Sequence, residues 1–101
     1  MKSDVFLAAT QTDHGRAGLI ARRLRAVKLK VRFDKKRAHH TPTAKDQRDV
    51  NEADQVLVLW SAAACDPEDQ DCDWMFAIAR SARARGVLVQ ATLDGTEPGA
   101  P

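Results

Sequence analysis

The sequence predicts an α/β fold: a parallel four-stranded sheet in the order 2-1-3-4, with helices on both faces. Three observations predict it. Short aliphatic runs alternate with longer amphipathic segments in a β-α-β-α-β-α-β series, and such alternation requires crossover connections between parallel strands. Two of the short runs are apolar almost without interruption, as strands buried on both faces must be. The chain has 101 residues, enough for one core and not for two, so residues 1–101 are read as a single domain.

Each element has its own signal. Residues 5–9, VFLAA, are a short apolar run after polar residues and predict the first strand. Asp13 is a helix-capping residue. From Arg16 onward Ala17, Ile20, Leu24 and Val27 fall at helical spacing with arginines between them, which predicts an amphipathic helix ending near Lys28. Residues 30–33 alternate as a second strand should. A polar loop follows over residues 34–43, DKKRAHHTPT. Pro42 suits a first helical turn and starts a short helix that runs to Glu52. Residues 55–60, QVLVLW, form the strongest strand signal and belong at the centre of the sheet. Residues 61–73 read as an irregular acidic loop. Asp71 or Asp73 caps a helix over residues 74–85, and Gly86 ends it. Residues 87–91 are the fourth strand. Its outer edge is left bare or is covered by a partner.

Bulk composition narrows the function. Charged residues make up 30% and hydrophobic residues 44%, a soluble globular balance rather than a disordered one. The net charge is +2, too small to make the whole chain a polyanion binder. The distribution is uneven. Ten of the sixteen basic residues lie between Arg16 and Arg37, while Asp66, Glu68, Asp69, Asp71 and Asp73 crowd the loop before the last helix. A basic side and an acidic corner are expected. The basic segment lacks interleaved aromatics for base stacking, so it predicts at most weak, salt-sensitive nucleic-acid binding. No apolar signal core follows the first residues, and no run approaches a membrane span. Cys65 and Cys72 are not at zinc-ligand spacing, and no metal is expected. A cytoplasmic, reduced protein is the simplest expectation.

The ordered segments DVFLAATQTD (residues 4–13), VRFD (31–34), ADQVLVLWSAAA (53–64) and DWMFAIARSARARGVLVQATLDGTEP (73–98) together resemble a bacterial Toll/interleukin-1 receptor-like (TIR) domain, a flavodoxin-like fold. The resemblance covers nearly the whole chain, although the family usually continues through another helix and a fifth strand. It implies cleavage of the nicotinamide–ribose bond of NAD by a Glu four residues after the helix Trp. That Trp is Trp74, and the Glu position is Ile78, which has no proton to give and no charge to steady an oxocarbenium-like transition state. The Ser-Tyr-Ser-like segment of the family is Ala8-Ala9-Thr10 here. By resemblance, Ala9, Thr10, Phe33 and Trp74 are the positions that would touch NAD. The resemblance therefore implies a catalytically silent module, with no cofactor required and NAD binding without turnover left open.

The family associates through the loop after the second strand. In this chain that loop carries Lys35, Lys36, Arg37, His39 and His40, and the acids Asp66, Glu68, Asp69 and Asp71 would oppose them. The expected partners are other TIR-like domains, either further copies or different chains, in a head-to-tail contact. Two alternatives remain. One is an NAD hydrolase whose acid is Asp13, Asp34 or Asp73; the other is a weak nucleic-acid binder. Simpler readings accompany each feature: Trp74 and Ile78 as core packing, His39 and His40 as a solvated loop, and the cysteines as ordinary thiols.

Overall fold

A computed structural model of the protein describes residues 3–33 and 43–95. Its four strands, β1 (Ser3–Ala8), β2 (Val31–Arg32), β3 (Ala53–Trp60) and β4 (Leu88–Thr92), form one sheet in the order β2-β1-β3-β4. Every neighbouring pair is parallel. This is a flavodoxin-like arrangement, with the order expected from the sequence.

The two apolar runs became the two inner strands because both of their faces are covered. In β1 Phe6 and Ala8 join one core while Leu7 joins the other, and β3 divides in the same way between Val56, Val58 and Trp60 on one side and Leu59 on the other. β1 starts earlier than the apolar run because Ser3 pairs with Ala53. β2 has only two residues in the ladder, so the alternation at residues 30–33 overstates its length.

Helix α1 (His14–Ala26) follows a 3-10 turn, Gln11–Asp13. It buries Ala17 and Ala21 against the sheet. Its end is closed by bonds from Lys28 N to Arg25 O (2.9 Å) and from Leu29 N to Leu24 O (3.3 Å). That pairing needs a left-handed residue, and Lys28 supplies it with φ of 70°, in a position where glycine is favoured. Helix α2 (Ala44–Glu52) begins later than the sequence suggests. Thr43 is its cap and forms a reciprocal capping box with Asp46; Pro42 lies outside the described residues.

The stretch after β3 is not wholly irregular. Ser61 caps a single turn, α3 (Ala62–Cys65). Helix α4 (Cys72–Arg85) starts two residues before Trp74 and is followed by Gly86 at φ of 74°. Helices α2 and α4 pack with Phe6, Val56 and Trp60 on one face of the sheet. On the other face α1 packs over Leu7, Ala9 and Leu59. Among the described residues α1 alone covers that face, and Val89 of edge strand β4 is 45% exposed. No helix among the described residues is long and apolar enough to cross a membrane.

Candidate functional site

In a parallel sheet the order reverses where two strands send their connections to opposite faces, and ligands favour the crevice at that point. Here the reversal lies between β1 and β3, and the residues following their carboxyl ends are Ala9, Thr10 and Ser61. A buried polar cluster fills this position. The Asp13 carboxylate accepts from the Thr10 hydroxyl at 3.0 Å and from the Ser61 hydroxyl. Its other oxygen receives the Arg16 guanidinium at 3.2 Å. Thr10, Asp13 and Ser61 are all at most 3% exposed. Thr10 Oγ1 also receives the Asp13 amide at 3.3 Å, and Ser61 Oγ receives the Ala64 amide at 3.2 Å. The cluster is satisfied from within, as buried polar groups must be, and it fastens the loop after β1 to the loop after β3.

The acidic loop is part of the same fastening. Asp71, expected on a docking surface, is instead fully buried, and this corrects its assignment. Its carboxylate accepts the Gln11 amide at 2.7 Å, and α4 has no side-chain cap from it. Asp69 is half-buried and accepts the Asp71 amide at 2.8 Å, with Thr12 Oγ1 3.4 Å from its other oxygen. Asp66 receives the Glu68 amide at 2.9 Å. Asp66, Glu68 and Asp73 are exposed. The loop therefore presents three outward carboxylates from a backbone held by two inward ones.

The positions assigned by resemblance to NAD do not share a pocket wall. Ala9 and Phe33 belong to the core beneath α1, whereas Trp74 and Ile78 belong to the core beneath α2 and α4, with the sheet between them. Thr10 directs its hydroxyl at Asp13. Trp74 is 2% exposed and Ile78 1%. The Trp74 indole N–H donates to the Asp46 carboxylate at 3.1 Å, and the ring lies 6.4 Å from that of Phe6. Lys35, Lys36, Arg37, His39, His40 and Asp34 lie outside the described residues.

Besides the buried polar cluster, two further features are not evident in the sequence reading. Asp46 bonds both the Thr43 amide, at 3.0 Å, and the Trp74 indole. Its signal was Thr43 three residues before an acid at the start of a helix, the mark of a capping box. The second is a cleft of about 550 Å³ along the β2 edge, bounded by the α1–β2 turn, the start of β1 and helix α2. Its residues are scattered over three segments, and no local pattern announces it.

The thiols are not poised for chemistry. Burial pushes the Cys65 thiol up from its ordinary value, with Asp94 adding to the shift. Burial does the same for Cys72, and Asp73 and the neighbouring charges reinforce it. A raised thiol pKa leaves little thiolate at neutral pH.

No protein-family model matches the chain, and no curated protein matches it. The resemblance to TIR domains therefore rests on the ordered segments alone.

Proposed function

We propose that this protein is a catalytically silent, TIR-like interaction module that docks through the acidic loop after β3. The observation that carries the reading is the place of Ile78. It occupies the position where the resemblance puts the catalytic acid, and it is an aliphatic side chain enclosed by core residues. Its neighbour Trp74 is engaged by Asp46, so the helix face that would have met a nucleotide is turned inward. Water and substrate have no route to a general acid there.

The acidic loop supports the docking half of the reading. Asp66, Glu68 and Asp73 are exposed, while Asp69 and Asp71 hold the backbone. A preformed charged surface needs little ordering on contact, which favours specific association. The partner is a TIR-like domain, either another copy or a different chain, that presents a basic segment such as the one carrying Lys35, Lys36 and Arg37.

Sedimentation velocity at low and high salt tests the proposal. Association that weakens with salt, and is lost in Asp66→Lys/Glu68→Lys, is expected. A monomer under all conditions, together with no binding of any TIR-like domain offered, would refute docking. Turnover of NAD by the purified chain would refute silence.

A further inference from the structure

The cleft along the β2 edge is charged out of proportion to the chain. Its lining includes Arg25, Lys30, Arg32, Lys45 and Arg48 against Asp49 and Glu52, a surplus of three positive charges. The whole chain carries only +2. Like charges gathered round a concave surface repel one another and focus the potential within it. A structure that keeps them there is stabilised by an anion.

The cations are also arranged rather than merely crowded. Arg32 is oriented by Asp49, which accepts from its Nε at 3.3 Å, and its two terminal nitrogens make no other hydrogen bond among the described residues. Arg25 is anchored by Nη2 donating to the Val31 carbonyl at 3.0 Å. The side chains of Lys30 and Arg48 make no hydrogen bond among the described residues. Two guanidinium groups are thus fixed, while the Lys30 ammonium and the Arg48 guanidinium, whose charge also acts on Glu52, carry no such anchoring bond among the described residues. This combination suits phosphoryl oxygens, which accept both forked and point-like donors.

The volume and the remaining lining narrow the ligand further. About 550 Å³ is the size of a small-molecule site and larger than one phosphate requires. Leu29 and Val31 give an apolar strip beside the cations. No aromatic residue is among the described lining residues, so they offer no aromatic ring to stack on a base. We infer that the β2-edge cleft binds a small organic molecule bearing two or more phosphoryl groups, recognised through the phosphates and not through a base. This inference is independent of the acidic-loop docking proposed above.

Calorimetry tests it with ADP, GDP, AMP and inorganic diphosphate, using the full chain and the variant Lys30→Glu/Arg48→Glu. Neither substituted side chain makes a hydrogen bond among the described residues, and circular dichroism checks that the variant is folded. Saturable binding of ADP at one per chain is expected, with GDP equal to it and AMP weaker by about tenfold or more as charge-assisted bonds are lost. The variant should bind ADP at least about tenfold more weakly. ADP binding more tightly than diphosphate supports an organic phosphate, whereas diphosphate binding equally or more tightly overturns the organic part of the inference and makes the cleft a site for the free anion. No saturation with ADP or diphosphate at millimolar concentration overturns the inference. So does undiminished binding by the folded variant, or a strong preference for one base. Loss of self-association in the variant without any phosphate binding overturns it as well, and makes the cleft a surface for another copy.

Discussion

Replacing Ile78 by Glu tests whether this position belongs to the core or to a disabled pocket. Ile78 is 1% exposed and lies among Trp74, Met75 and Ala82 in the core beneath α2 and α4. Removing its burial costs about 1.5–3 kcal/mol. The introduced carboxyl has no partner there, so its folded-state pKa rises above the unfolded value of about 4.3 by roughly 3–5 units. At about 1.36 kcal/mol per unit the full penalty is some 4–7 kcal/mol above the folded pKa, of which about 3–4 kcal/mol is already present at neutral pH. The sum is comparable with the whole stability of a domain this size, about 5–15 kcal/mol. The sign follows from linkage. A group whose folded pKa is raised carries its penalty only above the unfolded pKa, so the electrostatic part is absent near pH 4 and grows as pH rises towards the folded pKa. Urea unfolding of parent and variant between pH 4 and pH 8, read as the difference between the two, should show a gap that widens with pH. Ile78→Met, which nearly conserves volume, should cost less than about 1.5 kcal/mol. A pH-independent gap below about 1 kcal/mol would mean that water reaches position 78. The pocket reading would then replace the core reading, and gain of NAD cleavage in the same variant would confirm it.

Other expected outcomes follow from particular contacts. Asp46→Ala removes the capping box and the acceptor of the Trp74 indole, and should cost about 2–4 kcal/mol in urea unfolding, with a change in tryptophan fluorescence. Asp13→Ala strands the buried Thr10 and Ser61 hydroxyls and should cost about 2–4 kcal/mol; Ser61→Ala, which leaves Asp13 with Thr10 and Arg16, should cost less. Lys28→Gly relieves a left-handed lysine and should raise stability by about 1 kcal/mol, whereas Gly86→Ala should lower it by a similar amount. Burial raises both thiols, so alkylation of the native protein at pH 8 should be slower than that of an unfolded cysteine. Cys72, the more buried, should react last.

The strand order was legible because it rests on local composition: QVLVLW and VFLAA are apolar on both faces, and only central strands need that. The start of α2 was misplaced because Pro42 is a permissive signal, whereas Thr43 and Asp46 are a cooperating pair. The turn Ala62–Cys65 was hidden because three alanines carry no amphipathic pattern. The polar cluster at the strand-order reversal was not legible at all. Asp13 and Ser61 are 48 residues apart, and Gln11 and Asp71 are 60 apart. Asp71 therefore read as one acid among five. Sequence position marks it as charged, and only the packing of two distant loops turns it inward.

The pairing of β1 with β3 has a consequence for the chain as it leaves the ribosome. β1 meets β2 at only two positions, Val5 with Val31 and Phe6 with Arg32, but it meets β3 at five, from Ser3 with Ala53 to Ala8 with Val58. The nascent amino-terminal half thus holds an inner strand whose main neighbour has not yet been made. Its apolar side chains wait for a segment translated much later, and pairing over such a separation is slow to form. A fragment ending at Glu52 is expected to give the circular dichroism of an unfolded chain. A helical, cooperatively melting fragment would show instead that the first half folds during synthesis without β3.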